Sequence, residues 1–187
     1  MNELINSATV TGTFDGDIYS KTSNQVITEL INLIFIKSAN KTIWARGNLL
    51  FILDIINSDS TPYNNLVIID ILNPKYIMLV TDSVRINGIP VAYGSITYNE
   101  ITGELNINID SIPPESMLTI TFEVRKRNLE IFNLENTAYI NFNNDQMINI
   151  MSEVNEDNND KLYSNTIIIR ALSSVCKCKE IENRNQC

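Results

Sequence analysis

The chain contains no histidine, so any chemistry must come from lysine, carboxylates, amides or its three cysteines. Histidine is the usual proton shuttle and metal ligand, and its absence narrows the field sharply. Lys37 closes the apolar run LINLIFIK and therefore stands at the rim of whatever core that run enters. A lysine kept from water gives up its proton more readily and becomes a nucleophile; a lysine that snorkels stays charged and inert. Asp70 closes a second run, LVIID, and Asp54 interrupts a third, FILDII, where simple alternation would turn it outward. Cys176, Cys178 and Cys187 crowd the last dozen residues, so they do not staple a core. A Cys-x-Cys pair closes only a strained ring on itself, and the odd thiol has no partner, which points all three toward neighbouring subunits. They do not make a zinc site, since histidine is missing and the third thiol is distant.

Other candidates carry less. Asp157, Asn159 and Asp160 offer oxygens, but there is no Asp-x-Asp-x-Asp-Gly frame, so a solvated acidic loop is expected and no metal. Trp44, Tyr63 and Tyr76 could form a platform for a sugar, although packing at a sandwich edge is the simpler expectation. There is no nucleophile elbow, no phosphate-cradling glycine loop and no convincing carboxylate pair. The chain is therefore expected not to be an enzyme and to need no cofactor. Its formal charge of −8 shows no basic stripe for nucleic acid, and no run approaches the length that spans a bilayer.

The elements that must position these residues are strands. From Leu30 to Asp70 come three β-prone runs, Leu30 to Lys37, Leu49 to Ile56 and Leu66 to Ile69, broken at Gly47-Asn48 and at a Pro-Tyr-Asn-Asn bend. Apolar residues arrive in blocks or at spacing two, and no helical period fits. Further runs cover Tyr76 to Val80, Ser83 to Val91 with an Asn87-Gly88 hairpin signal, Ser95 to Tyr98, Glu104 to Asp110, Leu118 to Val124, Asn136 to Phe142 and Thr166 to Arg170. Many short strands with regular turn signals describe an all-β sandwich, and 187 residues suffice for one such core.

The N-terminal stretch is expected to form two strands around Asp15-Gly16, joined stiffly to the main domain because no Gly, Ser or Pro linker intervenes. It also repeats the other end of the chain. LINSATV at Leu4 to Val10 matches LENTAYI at Leu134 to Ile140, and SNQVI at Ser23 to Ile27 matches SNTII at Ser164 to Ile168. The expected organisation is a hairpin over residues 1–28 duplicating the final hairpin, a sandwich over 29–172, and a cysteine-bearing tail over 173–187. Ala8, Val10, Val26 and Ile27 are the positions through which that hairpin would donate strands to a neighbour.

Lys37, Arg46-Gly47, Asn57, the IDILNP turn from Ile69 to Pro74, NGIPV, the IPPES bend, NTAYI and SNTII together resemble a family: bacterial surface-protein repeat domains of unknown function with an immunoglobulin-like fold. The resemblance runs from about Leu30 to Ala171. It departs at Asn73, which intrudes before Pro74, and at Tyr139 and Ile140, which replace smaller residues. Members occur in tandem in exported proteins, which implies structural or adhesive work outside the cell. Related pilin modules join such a lysine to an asparagine on the last strand through an isopeptide bond, with a carboxyl group alongside. By that resemblance Asn165 is the acceptor for Lys37, and Asp54 or Asp70 the acid; the plainer alternative is that Lys37 snorkels and Asn165 caps a turn. The Ile/Asn/Lys-rich composition resembles that of a spore-forming clostridium. With no secretory signal at the start, a spore coat, exosporium or spore appendage, reached by mother-cell lysis, is the expected location. The expected function is a subunit polymerising head to tail with itself, touching other spore-surface proteins but neither nucleic acid nor membrane. The alternative is a monomeric adhesin or coat component that binds a receptor or glycan.

Overall fold

The computed structural model describes residues 2–30, 32–92, 94–128, 130–142 and 161–173. The acidic stretch with Asp157, Asn159 and Asp160, and all three cysteines, lie outside the described residues. Every regular element among those residues is a strand. No helix there is long and apolar enough to cross a membrane.

The body of the molecule is built from two facing sheets. The first runs β11 (Ile89–Pro90), β10 (Arg85–Ile86), β14 (Ser116–Lys126), β7 (Leu49–Asn57), β5 (Leu33–Ala39), with β9 (Ile77–Leu79) also on β14. The second runs β12 (Ile96–Tyr98), β13 (Glu104–Ile112), β8 (Tyr63–Ile71), β16 (Ala138–Phe142), β17 (Lys161–Tyr163). Successive strand residues point to opposite faces, and the alternation in the sequence maps directly onto burial. In β7 Leu49, Phe51, Leu53 and Ile55 are buried while Leu50, Ile52, Asp54 and Ile56 are only half-buried. Leu118, Ile120, Phe122 and Val124 of β14 and Leu105, Ile107 and Ile109 of β13 supply the rest of the inner surfaces. Phe51 and Phe122 meet at the centre with ring centroids 5.4 Å apart.

A third, small sheet closes one side: β15 (Phe132–Asn136), β18 (Ile167–Ala171) and β6 (Ile43–Trp44), with β18 parallel to β6. Here the strand expected over Asn136 to Phe142 divides. Phe132 to Asn136 pairs with β18, the chain passes through Thr137, and Ala138 to Phe142 pairs with β8 in the other sheet. Ser164 makes the corner: its N–H donates to Ala138 O at 2.9 Å, and its hydroxyl accepts from Ala138 N at 3.1 Å. Trp44 is fully buried, with Nε1 donating to Gly47 O at 2.7 Å. Tyr76 stacks on Phe132 and Tyr63 packs edge-on to Phe142, so these aromatics work as packing rather than as a platform.

The N-terminal stretch forms four strands rather than two. β1 (Asn2–Asn6) pairs with β4 (Val26–Leu30), and β2 (Thr9–Phe14) with β3 (Asp17–Thr22). Each arm of the ribbon is broken at a corner where Ala8 N donates to Ser23 Oγ and Ser23 N donates to Ala8 O. The tip is a two-residue loop with positive φ at Asp15 (53°) and Gly16 (86°), as a hairpin turn of this length requires. Asn87-Gly88 repeats that geometry between β10 and β11.

One glycine has no substitute. Gly103 has φ +75°, and a Cβ there would lie 1.7 Å from Leu72 O, on a residue whose own N–H donates to Gly103 O at 2.8 Å. Gly103→Ala combines a backbone clash with a left-handed conformation and is expected to cost about 2 kcal/mol or more. Urea denaturation checks this, and Gly12→Ala, which meets nothing within 4 Å in the ribbon, should shift the midpoint little.

Candidate functional site

Three polar residues occupy core-facing positions that alternation would normally fill with apolar ones. In β5 the inward row is Leu33, Phe35, Lys37; in β8 it is Leu66, Ile68, Asp70; in β15 it is Phe132, Leu134, Asn136. Lys37 is 1% exposed, Asp70 0% and Asn136 4%. The sandwich brings all three together. Lys37 Nζ donates to Asp70 Oδ2, and Asn136 Nδ2 donates to Asp70 Oδ1 at 2.9 Å and to Ile71 O at 3.0 Å. One carboxylate thus bridges an amine and a carboxamide carried by the first strand of the body and its closing hairpin.

The surroundings are apolar. Lys37 Nζ sits 4.8 Å from the centroid of Phe51 and 5.8 Å from that of Phe122. Burial pushes the Lys37 ammonium below its ordinary value of 10.5, against the opposite pull of the Asp70 charge and hydrogen bond. Asn136 Oδ1 is buried with no hydrogen-bond partner among the described residues. A buried carbonyl oxygen without a donor is uncommon and costs free energy. The arrangement suits one reaction. Proton transfer from Lys37 to Asp70 yields a neutral amine and a carboxylic acid. The acid, donating to the Asn136 carbonyl after rotation of the carboxamide, makes its carbon electrophilic. Attack by Nζ would then form an amide, with a proton from Nζ passing through the Asp70 carboxyl to Nδ2, the Cγ–Nδ2 bond broken and ammonia released.

The two remaining residues of the predicted set lie elsewhere. Asp54 is on the outer face of β7 and accepts from Thr119 Oγ1 at 2.7 Å, because its neighbours Leu53 and Ile55 take the inward positions. Asn165 is next to Lys37, but at its backbone: its Oδ1 accepts from Lys37 N at 2.8 Å and its Nδ2 donates to Lys37 O at 2.9 Å. The side-chain amide imitates a strand partner and holds the start of β18 against β5, while Asn136 takes the place beside the carboxylate. Asn136 had a signal in the sequence. Carrying the alternation back through Phe132 and Leu134 puts it on the core face, whereas starting a strand at Asn136 hides that phase.

No protein-family model matches the chain, and no curated protein matches it. Among solved structures, a variant of BcpA, the major pilin subunit of Bacillus cereus, is similar with a TM-score of 0.52 and 10% identity, over 89% of this chain and 48% of that one. The fold is an immunoglobulin-like β-sandwich. Looser likenesses are to the major pilin SpaD of Corynebacterium diphtheriae (TM-score 0.49, 16% identity, 73% of this chain, 35% of that one) and to the collagen-binding domain of a Staphylococcus aureus adhesin (0.44, 12%, 78% and 100%). The chain spans about half the length of the BcpA structure.

If Lys37 condenses with Asn136, the intact mass will fall about 17 Da below the sequence value, and both Lys37→Ala and Asp70→Asn will restore it. Asn165→Ala should leave the deficit in place while lowering stability by about 1–2 kcal/mol in urea denaturation, since it loses two part-buried hydrogen bonds to the Lys37 main chain.

Proposed function

We propose that the chain is a structural subunit of an extracellular fibre or surface layer, assembled head to tail from copies of itself and welded internally by a Lys37–Asn136 amide. The observation that carries this reading is the buried Lys37–Asp70–Asn136 group. As a simple ion pair in an apolar core it is a poor stabilising device, because desolvation offsets most of the attraction. As a cross-link between the first strand and the closing hairpin it takes the intervening segment out of the path of a pulling force. Such a device benefits a module under tension, and the immunoglobulin-like sandwich is an architecture that also occurs in a pilin subunit.

The finer parts of the proposal rest on the sequence. Cys176, Cys178 and Cys187, beyond the last patterned strand, form disulfides between subunits. The composition supports a spore-forming host, and the spore surface is the proposed location. The N-terminal ribbon supplies the head-to-tail contact, and a contact of that kind propagates into an open filament when its rotation does not close.

Electron microscopy of the purified protein tests the assembly: fibres or arrays are expected, and a persistent monomer that binds glycan or matrix would favour an adhesin instead. Removing residues 1–27 should leave a folded body that no longer assembles. Non-reducing gels of assembled material should show ladders that collapse with reductant; monomer bands in both lanes would reject disulfide stapling.

A further inference from the structure

The ribbon and the closing hairpin share more than sequence. Asn6 pairs with Val26 as Asn136 pairs with Ile167. Thr9 faces Thr22 as Tyr139 faces Tyr163, and Val10 faces Lys21 as Ile140 faces Leu162. The corner between the paired halves is the same. Ser23 N donates to Ala8 O at 2.8 Å, Ala8 N donates to Ser23 Oγ at 3.0 Å, and Ser23 Oγ donates to Asn24 O at 2.9 Å. Ser164, Ala138 and Asn165 make the corresponding bonds at 2.9, 3.1 and 2.9 Å. By this register Asn6 stands where Asn136 stands, and Asn24 where Asn165 stands. In the closing hairpin the first is buried against Asp70; in the ribbon both Asn6 and Asn24 are exposed, with Val10 at 73% and Val26 at 56%. A two-stranded ribbon with open apolar positions is marginal alone in water.

The ribbon cannot satisfy itself on its own body. The closing hairpin already fills the seat. Moreover β18 runs parallel to the first strand of the body, with Asn165 at Lys37 and Ala171 at Trp44. A strand in that position must reach β5 by a crossover of about a dozen residues. β4 ends at Leu30 and β5 begins at Leu33. The seat that fits the ribbon is therefore on a different molecule, and the body of this chain is one whose inner surface matches the shape.

We propose that the ribbon of one copy seats in the body of a second copy in place of that copy's closing hairpin, and delivers Asn6 to its Lys37 and Asp70. This deepens the reading that Lys37 condenses with Asn136 and rests on it. The exchange replaces one hairpin by another of identical register, so the strand pairing lost is matched by the strand pairing gained. The tethered hairpin has the advantage of local concentration, so a given Lys37 takes Asn6 only where exchange comes before closure of its own bond to Asn136; a copy already joined at Asn136 serves as donor alone. The bond step is balanced without any other reagent. Neutral Lys37 Nζ attacks Asn6 Cγ, its proton passes through the Asp70 carboxyl to Asn6 Nδ2, the Cγ–Nδ2 bond breaks, and ammonia leaves. The product is an amide between subunits.

Two full-length variants test this when mixed. Every acceptor carries Asn6→Ala so that it cannot donate; with Asn136→Ala in addition it keeps Lys37 and Asp70 but cannot close its own bond, whereas a Lys37→Ala donor keeps Asn6 but cannot accept. The expected product survives denaturant and reductant at the summed mass of the two variants, less about 17 Da. Its tandem mass spectrum should join the Lys37 and Asn6 peptides, and a donor carrying Asn6→Ala should yield none. An Asn136→Leu acceptor, which keeps the side-chain volume, repeats the test should the alanine variant fail to fold. Absence of the joined species with a folded acceptor overturns the inference. If wild-type chain meanwhile shows its own deficit with Lys37 joined to Asn136, the proposed function stands and only the exchange falls. A wild-type chain with no deficit sinks both.

Discussion

A lysine and an aspartate held together inside an apolar sandwich are the constraint on which the rest of this structure depends. Neither charge is stable there alone, and their mutual attraction only roughly balances the loss of water. The pair survives because Asn136 supplies a hydrogen bond to the other oxygen of Asp70 and because two phenylalanine rings exclude solvent around the amine. Three strands from two parts of the chain must hold their registers for this to happen. A slip of one residue in any of them would turn its polar group to the outside and an outer residue inward.

Much of the surrounding polar structure keeps those registers. Asn165 grips both main-chain groups of Lys37, which fixes how far β5 can slide against the closing hairpin. Ser164 fixes the point at which the chain leaves one sheet for another, and so sets the phase of Asn136 relative to Ala138. At the far end Lys126 Nζ donates to Trp44 O at 2.8 Å, Ala45 O at 3.1 Å and Leu172 O at 2.5 Å, tying the end of β18 to the loop after β6. Burial, and then the nearby Lys41 charge, lower the pKa of that ammonium. The closing hairpin is thus pinned at both ends, and the Lys37–Asp70–Asn136 group lies near the first pin.

The N-terminal ribbon has the same corner without the body that would use it. Its Ser-Asn pair and its small residue at Ala8 build the turn by local hydrogen bonds, which is why the geometry forms even where no core receives it. What distinguishes the two copies is connection. The closing hairpin reaches its seat through the full length of the domain, whereas the ribbon runs into β5 within two residues and cannot turn back beside it.

The family resemblance singled out Lys37 and left Asp54 and Asp70 as alternative acids, while period-two alternation and two-residue turn signals were enough to determine an all-β sandwich and most of its strands. These are local properties: a strand's faces follow from spacing, and Asp15-Gly16 and Asn87-Gly88 carry their turns in their own φ preferences. Asn136 and Asn165 could not be told apart in this way. Both are asparagines near the start of a late strand, and only the third dimension shows that one side chain meets the carboxylate of Asp70 and the other the main chain of Lys37. The outward face of Asp54, by contrast, follows from alternation with its buried neighbours Leu53 and Ile55. The division of the strand at Thr137 arises because its two halves hydrogen-bond to different sheets, a choice made by partners far away in sequence. Spacing decides what a strand can bury; which buried groups then touch depends on how distant strands are brought into register, and that belongs to the tertiary structure alone.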